Sequence, residues 1–123
     1  MSGEFTIELL AVNQQTAVFF AAGTINIETA PILLHGIEEA IQKCNPRSIV
    51  IDLGAVPYIS SSGVGVLIQV FENIRTENGM IILVKAHESI KRILSILGFT
   101  RYFLFADSMD EAHQILLDHF TEK

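Results

Sequence analysis

Apolar and polar positions alternate loosely at the start of the chain. Phe5, Ile7 and Leu9 fall two apart within Phe5–Val12, a period that predicts a strand. Asn13-Gln14-Gln15 reads as a turn, and Thr16–Ala22 is apolar and rich in β-formers, so the pair predicts an antiparallel hairpin ended by Gly23. The period then changes. Leu33, Ile37, Ala40, Ile41 and Cys44 recur at helical spacing. Glu28-Thr29-Ala30-Pro31 supplies a capping side chain and a proline near the first helical position, and Asn45-Pro46 stops the helix. Ser48–Leu53 is a compact apolar run, the pattern of a central strand covered on both faces.

The second half repeats this alternation. A helix starts near Ser60–Gly63 and carries Leu67, Val70, Phe71 and Ile74 on one stripe. Asn78-Gly79 turns the chain into Met80–Val84, another central strand. Ile90, Ile93, Leu94 and Leu97 predict a third helix, ended by Gly98 and carrying Lys91 and Arg92 outward. Tyr102–Phe105 reads as a short aromatic strand, part of a Phe99, Tyr102, Phe103, Phe105 cluster assigned to core and sheet edge. Ser108-Met109-Asp110-Glu111 is a capping box opening a fourth helix through Ala112, Ile115, Leu116 and Phe120. The order β-β-α-β-α-β-α-β-α predicts an α/β domain with a mixed, mainly parallel sheet of about five strands, about four helices and an antiparallel N-terminal hairpin at one edge. One domain is expected over 1–123, its core running from about Phe5 to about Phe120.

Composition narrows the function classes. Half of the 123 residues are hydrophobic and 18% are charged, which excludes a disordered tail. Mean hydropathy is high at +0.42, yet no apolar run approaches the roughly 20 residues of a membrane span. Met1-Ser2-Gly3-Glu4 has neither a basic nor an apolar leader region, so a cytoplasmic protein without a membrane partner is expected. The net charge is −6 and the basic residues are scattered, which argues against nucleic acid as a partner. Cys44 is the single cysteine, so no intramolecular disulfide or cysteine-based zinc site is available. Its place in an apolar helical stripe reads as a small buried hydrophobe.

The chemistry concentrates in Ile49–Gly65. A buried strand ends near Leu53, a short loop follows, and three serines meet Gly-x-Gly at a helix start. Sites in parallel sheets form outside the carboxyl ends of the strands. A helix N-terminus there offers unpaired N–H groups and partial positive charge, suited to an anion or phosphate. Gly63 and Gly65 lack side chains, which lets another backbone or a partner approach. Taken locally, three serines before a helix read first as a cap contributing roughly 1 kcal/mol.

The stretch Asp52-Leu53-x-x-Val56-x-Tyr58-Ile59-Ser60-Ser61-Ser62-Gly63-Val64-Gly65 resembles the signature of the anti-sigma factor antagonists of the STAS domain family. Gly23-Thr24-Ile25-Asn26 is similar to the family's Gly-x-Leu-Asp segment, and Asn78-Gly79-Met80 and Ile93–Gly98 also fit. The resemblance implies a STAS-like fold and a partner-switching regulator without catalysis, cofactor or metal. The family's core is Asp-Ser-Ser-Gly, its second serine phosphorylated by a partner kinase. Matched here, that serine is Ser62, with Ser61 and Ser60 as alternatives. Ser60 and Asn26 stand where the family carries Asp, so two carboxylates are lost from the docking face. The resemblance implies docking through Asn26, Tyr58, Ser60, Ser61, Ser62, Gly63, Val64 and Gly65. The implied partners are an anti-sigma factor that is also a serine kinase, and a phosphatase that reverses it. An unphosphorylated docking subunit of a larger signalling or transport assembly is the alternative.

Other chemistries fit poorly. Position 59 is Ile, so the Gly-x-Ser-x-Gly of an esterase is incomplete. No Gly-Lys occurs, which excludes a P-loop. His35, His87, His113 and His119 carry no motif and read as surface or helix-end residues. His113 and His119, six apart on one helix, share no face for a zinc ion.

Overall fold

In the computed structural model, residues 4–13, 15–75 and 78–121 are described, Phe120 and Thr121 by backbone alone. The strands are β1 (Thr6–Asn13), β2 (Thr16–Ala22), β3 (Ser48–Ala55), β4 (Ile81–Val84) and β5 (Leu104–Ala106). The helices are α1 (Ala30–Cys44), α2 (Ser61–Ile74), α3 (Glu88–Leu97) and α4 (Met109–Thr121). The strands lie in one sheet in the order β1-β2-β3-β4-β5. β1 runs antiparallel to β2, and the remaining neighbours are parallel. This is the α/β architecture with an edge hairpin that the alternation of periods predicts.

The alternation along the strands sorts side chains into two cores. Ile49, Ile51 and Leu53 of β3, with Phe19, Ile81 and Leu83 beside them, face Leu33 and Ile37 of α1, Leu67 and Val70 of α2, and Ile90 and Leu94 of α3. Val50, Ile82, Val84 and Ala106 point the other way, onto Ala112 of α4. α1, α2 and α3 therefore share one face of the sheet, and α4 packs on the opposite one. Each fully buried isoleucine or leucine contributes about 1.5–3 kcal/mol by leaving water.

The helix ends follow local chemistry. Asn45 adopts φ 48° and closes α1 by donating its N–H to Ile41 O at 2.9 Å. Gly98, at φ 83°, ends α3, and the Phe99 N–H returns to Leu94 O at 2.8 Å. This is the left-handed C-terminal turn expected of glycine.

Four details depart from the sequence reading. Tyr102–Phe105 is not one strand: Thr100–Tyr102 form a turn of 3₁₀ helix, and β5 begins at Leu104. The aromatic rings decide this, because Tyr102 packs edge-on against Phe71 at 5.3 Å and lies 5.6 Å from Phe99. Only Phe103 of that cluster is fully buried. Thr29 precedes α1 but makes no side-chain cap. The Ser108 box closes one residue early: Ser108 Oγ accepts from Glu111 N–H, while Glu111 Oε1 accepts from Asp107 N–H at 2.6 Å. Cys44 is half-buried rather than buried, because it lines a groove between β1 and α1.

Candidate functional site

Ser60 begins the site. Its backbone is extended (φ −87°, ψ 173°) and its Oγ accepts from Gly63 N–H at 3.3 Å, an N-cap for α2. The Ser60 carbonyl accepts from Val64 N–H at 3.0 Å. With Gly63 and Val64 so engaged, the first-turn donors lacking an intrahelical acceptor are the amides of Ser61 and Ser62. Ser61 is exposed and Ser62 half-buried. Neither hydroxyl makes a hydrogen bond among the described residues.

The loop entering α2 is fastened along its carbonyls. Gly23 N–H donates to Ala55 O and Ile25 N–H to Tyr58 O, both at 3.0 Å, and Ser60 N–H returns to Ile25 O at 2.8 Å. Ile25 and Ile59 thereby form a parallel bridge outside the main sheet. Beneath it, Gly63 is required by space. A Cβ there would lie 2.5 Å from Ile25 Cγ2 and 2.6 Å from Ile59 Cγ1. Gly65 faces open space.

Asn26 sits on the neighbouring turn. Its Oδ1 accepts from Glu28 N–H at 2.9 Å and Thr29 N–H at 3.0 Å. Thr29 Oγ1 accepts from Asn26 N–H and donates to Thr24 O, both at 2.8 Å, which is why it is lost as a helix cap. Asn26 thus organises the approach to α1 as a carboxylate would, without the charge.

The positions singled out in the sequence come together at the carboxyl end of the sheet, but they divide by exposure. Tyr58, Ser61 and Gly65 are exposed, and Asn26, Ser60 and Ser62 are half-exposed. Gly63 and Val64 are buried, so they shape the surface from below. Gly63 is thus not an opening for a partner's backbone, because Ile25 and Ile59 fill the space before it. Sequence reasoning overlooked Ile27, one residue past Asn26 and 73% exposed. An isolated apolar residue within a polar turn was the available signal. It placed His87 at the surface or a helix end, where it lies, but missed its hydrogen bond and that of Ser89, whose partners lie 33 and 32 residues away. No group of three or more His, Cys, Asp or Glu among the described residues is placed to hold a metal ion.

The chain matches the family model described as STAS domain over residues 9–112. It is 30% identical over 90 residues to a candidate anti-sigma factor antagonist, BtrV of Bordetella bronchiseptica, covering 73% of this chain and 77% of that protein. An anti-sigma factor antagonist from Mycobacterium paratuberculosis superposes with a TM-score of 0.80 at 25% identity, covering 94% of this chain and 97% of that one. SpoIIAA, an anti-sigma factor antagonist and Bacillus cell fate determinant, shares the fold at 17% identity. Its unphosphorylated form gives a TM-score of 0.76 over 90% of this chain and 96% of its own. Its phosphorylated form gives 0.69 over 89% and 99%. By its family match, its element order and the Ser-Gly turn at the start of α2, the chain belongs to the STAS domain family, in the company of anti-sigma factor antagonists.

Proposed function

We propose that this protein is an anti-sigma factor antagonist that binds an anti-sigma factor/serine kinase when unphosphorylated and is released when Ser62 is phosphorylated. It is a regulatory binding protein, and the kinase partner supplies ATP, Mg²⁺ and the base that takes the hydroxyl proton. Ser62 Oγ attacks the γ-phosphorus, ADP leaves, and a partner phosphatase restores the hydroxyl by hydrolysis. The cytoplasm is the compartment this reading requires. No helix among the described residues is long and apolar enough to cross a membrane.

The observation that carries the reading is the division of labour among the serines. Ser60 is committed to capping α2. Ser62 sits in the first turn with an unengaged hydroxyl beside exposed Ser61 and Tyr58. A phosphate adds about −1.5 to −2 charges. The protein tolerates it, because the α2 N-terminus favours an anion. The partner does not: a desolvated, unmatched charge at a neutral Ser/Tyr surface costs several kcal/mol of affinity.

Peptide-mapping mass spectrometry of the protein from its own cells tests this. A single phosphate on Ser62 is expected, with Ser62→Ala retaining the partner and Ser62→Asp losing it. Phosphate on Ser61 or Ser60 moves the switch to that residue. A stable complex with no phosphate under any growth condition replaces the switch with constitutive docking to a larger assembly.

A further inference from the structure

Four carbonyls along the end of β3 and the loop from it to α2 are held from two sides. Ala55 O and Tyr58 O accept main-chain N–H groups from the 23–25 segment. Gly54 O and Pro57 O accept side chains instead: His87 Nε2–H donates to Gly54 O at 3.0 Å and Ser89 Oγ–H to Pro57 O at 3.2 Å. Both donors belong to the start of α3, His87 at its N-cap position and Ser89 in its first turn. His87 makes no side-chain cap of its own helix. Its ring is spent across the gap, on the loop that delivers Tyr58 and Ser60 to the site.

We propose that His87 and Ser89 are positioning residues, a side-chain clamp through which α3 fixes the loop carrying Tyr58. The two clamps differ in kind. The 23–25 clamp is main chain and independent of residue type. The α3 clamp depends on two exposed side chains and can be tuned by sequence. Neither of its side chains belongs to the buried cores. Its effect on the partner rests on the function proposed above, whereas the clamp itself does not.

Amide hydrogen exchange by NMR tests the clamp on the isolated protein. In the double variant His87→Ala/Ser89→Ala, the N–H groups of Ile25, Val56 and Ser60 are expected to exchange about tenfold faster. Those of Ile51 and Leu83 in the sheet keep their rates. His87→Gln, whose amide also donates, restores most of the protection in the presence of Ser89. Unchanged exchange at Ile25, Val56 and Ser60 overturns the clamp, and so does failure of the glutamine to restore it.

The consequence for docking is read with a kinase fraction from the protein's own cells that phosphorylates the wild-type chain. The double variant is expected to raise the KM for this protein severalfold and leave kcat unchanged, since Ser62 lies within α2, beyond the loop that the clamp holds. An unchanged KM alongside faster exchange shows that the clamp does not position the docking face and overturns that part. A wild-type chain that takes no phosphate overturns the proposed function, and the exchange result alone then decides the clamp.

Discussion

Adding one methyl group at Gly63 probes the site where the helix start, the loop bridge and the core meet. The new Cβ would lie 2.5 Å from Ile25 Cγ2, 2.6 Å from Ile59 Cγ1 and 3.0 Å from Ile59 Cδ1. Ordinary contact begins near 3.5 Å, so two groups must move by close to an ångström. Both side chains are β-branched and at most 1% exposed, and both backbones are tied in the Ile25–Ile59 bridge. Overpacking of this kind costs about 1–3 kcal/mol. Alanine gains at most about 1 kcal/mol over glycine within a helix. The balance for Gly63→Ala is a loss of up to about 2 kcal/mol. Gly65→Ala is the matched control, because nothing lies within 4 Å of its Cβ and only the helical gain remains. Urea unfolding at constant m reads both. The helical gain is common to both and cancels, so a gap of about 1–3 kcal/mol between the variants is expected. Equal midpoints would refute the packing argument and make Gly63 as replaceable as Gly65.

Substitutions at two further positions follow from the same geometry. Asn26→Asp keeps the acceptor for Glu28 and Thr29 N–H and strengthens it by charge, so stability is expected to hold or rise by up to about 1 kcal/mol, while Asn26→Ala loses about 1–2 kcal/mol; thermal unfolding of the pair decides. Gly79→Ala drives a Cβ into the Arg47 carbonyl, a main-chain obstacle that cannot rotate away, and a loss above about 3 kcal/mol is expected, seen as failure to fold or a much lower urea midpoint.

Much of the fold was legible because period and punctuation agreed. The hairpin, Asn45 and Gly98 as helix ends, and a serine cap at the start of α2 each depend on neighbours within a few residues. The departures come from partners far along the chain. Tyr102 leaves the strand pattern for Phe71, 31 residues away, and no local rule distinguishes an aromatic strand from an aromatic turn packed on a helix. Thr29 was read as a cap because the pattern shows only that a hydroxyl is present, not that Thr24 O takes it. At the site, the Ser-Gly turn was visible. The inward face of Gly63 and the reach of His87 to Gly54 were not, since each needs the 23–25 segment or α3 already in place.

The strand order β1-β2-β3-β4-β5 is also the order of synthesis. Each strand emerging from the ribosome finds its only earlier partner already exposed, and no later segment must be threaded between two that have paired. Assembly can therefore proceed by accretion from the N-terminal hairpin, with short loop closures at each step. The proposed docking surface matures late in that sequence. Its floor closes when α2 caps itself, and its last side-chain fastening arrives only with residues 87–89. A nascent chain stalled before α3 would carry Ser62 on an unfinished face, so the proposed docking surface is complete only once residues 87–89 have been made.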